Sequence, residues 1–130
     1  MRGGLRDCRL GDRGGAAVEF ALVAPILLAL VFGIIQFGMV MFVQNNMMNA
    51  AREAARQHAV GAVTLAGAQT VAQNYLANWG MTFTVTATNP TATEVSVLIT
   101  VPIKQASMID VLGLFGSGNL EAKVVMRKEG

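Results

Sequence analysis

The chain has 130 residues, a net charge of +2 and 53% apolar residues, the size of one domain with an excess of hydrophobic side chains. So small a charge, without a basic face interleaved with aromatic residues, argues against a nucleic-acid partner. The single cysteine, Cys8, excludes an intrachain disulfide, and the single histidine, His58, leaves a metal cluster or a histidine-based catalytic pair without a second member. The sequence therefore predicts no metal, no cofactor and no enzymatic activity.

The first predicted element is a flexible basic leader over residues 1–14. It is rich in glycine and arginine and has no apolar periodicity. Four arginines precede the apolar run that follows, whereas only Arg52 and Arg56 lie in the first stretch after that run. By the positive-inside rule this asymmetry predicts a cytoplasmic N-terminus.

The second predicted element is a transmembrane helix over residues 15–43. From Phe20 to Val43 the only polar side chain is Gln36. As a helix this run is about 36 Å long, enough to cross a hydrocarbon core of about 30 Å. A secretory signal has a shorter apolar run that closes on a small-residue cleavage site. Pro25 interrupts the helical hydrogen bonding. Two interpretations stay open: proline is an ordinary constituent of membrane helices, or Pro25 makes the helix flexible at this point.

Residues 44–130 are predicted to form a small exterior domain that starts with two helices. Helix-favouring residues without Pro or Gly continue the membrane helix over residues 44–60. Apolar residues at helical spacing predict an amphipathic helix over residues 64–79, which Thr64 can cap at its start, with Tyr75 and Trp79 on its buried face.

Three strands follow in the predicted exterior domain, because apolar and polar residues alternate over residues 81–88, 93–101 and 119–127. A short helix or compact loop is expected after Ser107. The predicted fold class is therefore α+β: a long N-terminal transmembrane helix that continues into a small exterior domain with a second amphipathic helix and a three-stranded antiparallel sheet.

The most specific chemical feature is Glu19, which lies at the threshold of the apolar run. A charged side chain costs about 2.5–3.5 kcal/mol at the centre of a membrane helix on insertion scales, and such residues usually face a partner. Two interpretations follow. Glu19 pairs with another group in the membrane, or it lies hydrated at the level of the headgroups and acts only on topology.

The residues around Glu19 carry a family resemblance. The segment Gly14-Gly15-Ala16-Ala17-Val18-Glu19-Phe20 resembles the processing site of type IV pilin-like precursors, which are cut after a glycine and keep glutamate as the fifth mature residue. With 17–25, 36–38 and 49–56, it is similar to the TadE-like pseudopilins of the tight-adherence (Flp) pilus system. The resemblance is strong over residues 14–56 and looser over residues 81–130.

This resemblance implies a processing step and an assembly role. Prepilin peptidase, a membrane aspartic peptidase, would cut between Gly14 and Gly15 and remove the leader. Glu19 would then pair with the new α-amino group of Gly15 on an adjacent subunit and set the axial register, with Phe20 next to it. Abundant pilins of this system are short and typically have Tyr after the Glu, so Phe20 and the long exterior part indicate a minor pseudopilin.

The resemblance also implies partners and a location. The implied partners are prepilin peptidase, other pilins and pseudopilins, the inner-membrane pilus assembly platform of this secretion system, and membrane lipid. The implied location is the bacterial inner (cytoplasmic) membrane, crossed once, with the C-terminal domain periplasmic and with incorporation into the pilus left open. The alternative class is an uncleaved single-pass binding protein of the cell envelope, whose exterior domain captures a ligand or partner.

Overall fold

The structure, a computed structural model, describes residues 11–107 and 116–129. The chain divides between Ile35 and Gln36 into two compact units. Cys8, most of the predicted leader, and nearly all of the segment predicted as a short helix after Ser107 lie outside the described residues.

Helix α1 spans Gly11–Ala59 and contains Pro25. In the first unit its large apolar side chains are exposed around the whole helix, with Phe20, Leu22 and Ile26 each about 70% exposed. An 18-residue window of α1 has a mean hydropathy of 2.6, and α1 is the one helix among the described residues that is long and apolar enough to cross a membrane. Apart from the hydrogen bond that Pro25 cannot donate, the backbone groups of such a helix interior bond within the helix, as a lipid environment requires.

In the second unit α1 buries one face only. The buried residues recur three or four positions apart, which places them on one side of a helix with 3.6 residues per turn. They are Gln36, Val40, Val43, Met47, Ala50, Ala51, Ala54, Ala55 and Ala59. Most are alanines, so the helix backbone comes close to the elements packed against it, and the core of the second unit forms there.

Helix α2 spans Leu65–Leu76 and continues as a 3-10 turn over Ala77–Trp79. The Thr64 hydroxyl accepts a hydrogen bond from the Gly67 backbone N–H at 3.1 Å and caps the helix start, as the sequence predicts. The prediction that Tyr75 lies on the buried face is wrong, because Tyr75 is 47% exposed, whereas the neighbouring Leu76 is buried.

The sheet contains strands β1 (Thr84–Thr88), β2 (Glu94–Pro102) and β3 (Asn119–Arg127) in the antiparallel order β1-β2-β3. Its inner face is formed by alternating residues of the strands, as the pairs Val85 with Ile99 and Val97 with Val124 illustrate. The α+β fold class with a three-stranded antiparallel sheet is thus confirmed.

The first strand begins at Thr84 rather than at residue 81. Pro102 ends β2 and has no backbone N–H, and the chain then turns into a four-residue helix, α3 (Ile103–Ala106). The Thr82 backbone N–H therefore does not extend the ladder and instead donates to the Gln105 side-chain oxygen at 2.7 Å.

Two hydrogen bonds fix α1 beside the outer edge of β3. The Gln44 side-chain amide donates to the Glu121 carbonyl oxygen at 2.7 Å, and the Glu129 backbone N–H donates to the Ala59 carbonyl oxygen at 3.1 Å. Since both partners advance along the chain together, this part of α1 runs in the same direction as β3. The compact second unit starts at Gln36, so it includes the last residues of the predicted membrane segment 15–43 as well as the predicted exterior domain.

We expect Ala54→Leu to destabilise the second unit, because Ala54 is fully buried and the close approach of α1 leaves no room for three further carbon atoms. Overpacking of this kind costs about 1–3 kcal/mol. Chemical unfolding of the full chain in detergent micelles measures the effect. Ala66→Leu, at an exposed position of α2, is the matched control and should change stability little; equal losses for both variants would contradict close packing at Ala54.

Candidate functional site

The residues that the sequence identifies as functional lie together in the N-terminal part of α1. Gly14, Gly15, Glu19 and Phe20 are all exposed, and Phe20 is 71% exposed. Among the described residues, the Glu19 carboxylate has no hydrogen-bond or ion-pair partner within the chain. Within the described residues the Glu19 carboxylate is therefore available to a group from outside them.

The bond between Gly14 and Gly15 lies at a weak point of the helix. A side chain at either position would meet no atom within 4 Å, so steric crowding does not explain the two glycines. Each glycine in a helix interior costs about 0.5–1 kcal/mol relative to alanine. Two in succession lower the cost of opening the helix, which exposes this peptide bond.

Glu19 is surrounded along the helix by apolar side chains that contact no core. Val18 is 61% exposed and Leu22 is 69% exposed, one residue before and three residues after Glu19. Residues three and four apart lie on the same side of a helix, so the carboxylate belongs to a surface that is otherwise apolar. Such a surface is suited to lipid or to neighbouring apolar helices, in which a carboxylate seeks a cationic or hydrogen-bonding partner.

A second feature is an open cleft of about 340 Å³ on the surface of the second unit. Its lining comes from three elements, α1, α2 and β3, and consists of Asn49, Arg52, Glu53, Arg56, Tyr75 and Met126. Glu53 accepts hydrogen bonds from Arg56, at 2.9 Å and 3.1 Å, and from the Gln57 amide at 2.8 Å. The hydrogen bond from the Arg56 guanidinium, and to a smaller extent the one from the Gln57 amide, holds the pKa of Glu53 below its usual range.

Two charges of the cleft form an ion pair on the surface of α1. The Arg56 guanidinium lies 2.9 Å from the Glu53 carboxylate, and the Arg56 side chain is 60% exposed. The spacing of three residues on one helix was the available signal. Exposed ion pairs of this kind contribute little to the free energy of unfolding.

The structure gives His58 a local role. Its Nδ1 lies 2.9 Å from the Val63 carbonyl oxygen, so in the neutral ring Nδ1 carries the proton and donates it to this bond. Across the described ranges, 11–107 and 116–129, no three residues of the His, Cys, Asp and Glu types come together as metal ligands would.

An aromatic contact joins α1 to the end of α2 and has no counterpart in the sequence interpretation. The rings of Phe42 and Trp79 lie 5.1 Å apart between centroids and are tilted by 52°. This distance and tilt are within the range of favourable aromatic pairs. The residues are far apart in sequence, and helical periodicity alone gave no signal for the pair.

We expect the Glu53 carboxyl to titrate below the ordinary glutamate range. Because the folded pKa is lowered, the Glu53 contacts stabilise the folded unit above the unfolded pKa, and this contribution is lost as the pH falls through the folded pKa. NMR titration of the side-chain carboxyl carbon measures the pKa of Glu53. Arg56→Ala should raise the pKa towards its ordinary value, whereas Arg52→Ala, in the same cleft, should leave it unchanged; an effect of Arg52→Ala as large as that of Arg56→Ala would contradict the assignment.

Comparison with known proteins bears on the N-terminal segment. Residues 14–56 match the family model described as TadE-like protein. No curated protein and no solved structure matches the chain. The match includes Gly14, Glu19 and most of the α1 segment of the second unit. Residues 14–56 are therefore similar to the TadE-like family, and this segment, with an apolar helix able to serve as a membrane anchor, fits a protein associated with Tad pilus components.

Proposed function

We propose that this protein is a minor pseudopilin that is inserted in the inner membrane through α1 and helps to assemble or prime a tight-adherence pilus. The observation that carries the proposal is the TadE-like match over residues 14–56, which contains the Gly14–Glu19 spacing. The exposed apolar surface of α1 in the first unit supports it, since a helix with such a surface needs lipid or other apolar helices around it.

In this proposal prepilin peptidase cuts the bond between Gly14 and Gly15 on the cytoplasmic side. The helix-weakening glycine pair supports this step, because the bond can leave the helix at low cost. The cut creates an α-amino group four residues before Glu19. Other pilins and pseudopilins and the assembly platform are then the partners of the mature chain, and the second unit lies on the periplasmic side.

Glu19 sets the register between subunits in this proposal. Its carboxylate has no partner among the described residues of its own chain and lies on an apolar surface. The α-amino group of Gly15 on a neighbouring subunit supplies a complementary charge. A hydrogen bond to a charged group contributes about 1.5–3 kcal/mol, which is enough to favour one axial offset over others.

The protein acts through assembly and not through catalysis in this proposal. Its exterior acids are scattered along the sequence, and the one clustered acid, Glu53, is already bonded to Arg56 and Gln57. A general base needs a pKa near the working pH, whereas the pKa of Glu53 is shifted in the opposite direction.

A second candidate function is that of an uncleaved single-pass binding protein. The observation that favours it is the open cleft with Arg52, Arg56 and Tyr75, which offers cationic groups and an aromatic ring to a ligand. The two candidates differ at the N-terminus, because only the pseudopilin loses its leader.

We expect mass spectrometry of the protein isolated from membranes to find an N-terminus at Gly15. The cells must contain a prepilin peptidase, and a strain without the peptidase is the control, in which the N-terminus should be Met1. An intact Met1 in cells with an active peptidase would rule out processing and favour the binding protein.

We expect Glu19→Ala and Glu19→Gln to reduce pilus assembly by roughly 10-fold to 100-fold while membrane insertion is retained, since either change removes a charged pair of about 1.5–3 kcal/mol. Pilus counts by electron microscopy and membrane fractionation measure the two properties. Val18→Ala is the matched control on the same exposed surface and should assemble normally. Normal piliation by Glu19→Gln would leave Glu19 with a topological role only.

A further inference from the structure

One end of the second unit carries a group of apolar and amphipathic side chains that are not fully buried in its core. In α1, Phe37, Met41 and Phe42 are 58%, 45% and 51% exposed. Trp79 is only partly buried, and Lys104 is exposed. We call these five residues the aromatic rim.

One ring contact within the rim and one hydrogen bond beside it connect the segments that carry the rim residues. Trp79 packs on Phe42 at a centroid distance of 5.1 Å. Directly after Trp79, Gly80 adopts a φ of 64°, a left-handed conformation that suits glycine, and turns the chain towards β1. The Thr82 backbone N–H then bonds to Gln105, the residue after Lys104. The helix, the turn after α2 and α3 therefore meet at this end.

The rim coincides with the change of character along α1. Phe42 is followed by a single apolar residue, Val43, and then by Gln44, Asn45 and Asn46. The Gln44 side chain donates a hydrogen bond to the sheet, at the Glu121 carbonyl oxygen. The Trp79 ring is thus held against the last turn of α1 that is apolar on its outer side.

The residue types of the rim are those that membrane–water interfaces select. Tryptophan is enriched at the headgroup level because its ring is apolar and its N–H needs a polar partner. A lysine at the same end can extend its amine into water while its methylenes remain against apolar surface. Phenylalanine and methionine side chains with half their surface exposed gain free energy by leaving water.

We propose that the aromatic rim is a lipid-binding surface, and that Trp79 lies in the headgroup region of the outer face of the membrane that α1 crosses. The inference rests on the proposed membrane insertion. The occupant is the phospholipid interface and not a protein, since Phe37, Met41 and Phe42 belong to the same apolar run, Phe20 to Val43, that is proposed to anchor the chain in the bilayer. Contact at the rim opposes sinking of the second unit into the membrane.

The sequence makes this proposal unusually direct to test, because Trp79 is the only tryptophan of the chain. The full chain is reconstituted in vesicles of phosphatidylethanolamine and phosphatidylglycerol that contain a phospholipid brominated either near the headgroup end or near the methyl end of its acyl chain. Insertion is measured independently, by flotation and by resistance to alkaline extraction. We expect shallow bromine to quench Trp79 emission more strongly than deep bromine, and aqueous iodide to quench it weakly.

The control moves the reporter to the other end of the second unit. Val60→Trp in a Trp79→Phe background places the single tryptophan just after the end of α1, where Val60 is 48% exposed. This reporter should respond to iodide and not to brominated lipid, and its emission maximum should lie at longer wavelength than that of Trp79.

Three results would overturn the proposal. Iodide quenching of Trp79 equal to that of the Val60→Trp reporter, in an inserted chain, would show that water covers the rim. Protection from both iodide and bromine would show that a protein contact covers it. Failure of the chain to float with the vesicles would defeat the proposed membrane insertion, and with it the lipid contact.

Discussion

The structure depends on one helix that must serve two surroundings. In the first unit α1 exposes apolar side chains around its whole circumference, which only lipid or other apolar helices can accommodate. In the second unit the apolar residues of the same helix form a stripe on one side, and the sheet and α2 cover this stripe. The alanines of that stripe decide how the second unit is built, because a short side chain lets the helix backbone approach the sheet closely. With no disulfide available, this close packing supplies the cohesion of the unit.

Hydrogen bonds at the edge of β3 fix the position of α1 along the sheet. Apolar contacts alone allow a helix to slide along a sheet, since they have no preferred direction. The bond from Gln44 to the Glu121 carbonyl and the bond from Glu129 to the Ala59 carbonyl fix the helix at two separate points. The first bond also occupies a backbone carbonyl of the edge strand β3, and an open edge is a site for unwanted strand pairing.

Local patterns predicted the elements well and their contacts poorly. Alternation of apolar residues identified the three strands, and Thr64 identified the start of α2, since these signals act between near neighbours. Tyr75 was assigned to the core because helical spacing defines a face only to within one residue, and Leu76 buries more apolar surface without a hydroxyl to satisfy. The Phe42–Trp79 and Gln44–Glu121 contacts join residues that only the fold brings together. The candidate site differs from these contacts, because Gly14 and Glu19 were identified by their motif and the partners proposed for them belong to other molecules.

The length of the apolar run bears on the depth of Glu19 in the proposed membrane insertion. The run from Phe20 to Val43 is about 36 Å long as a helix, whereas the hydrocarbon core is about 30 Å thick, so the helix must tilt or leave about one turn outside. Where that turn lies at the N-terminal end of the run, the Glu19 carboxylate is partly hydrated, and its insertion costs less than at the membrane centre. In the proposed assembly, pairing with an α-amino group is then not needed to keep the helix in the membrane, and its effect is on the register between subunits.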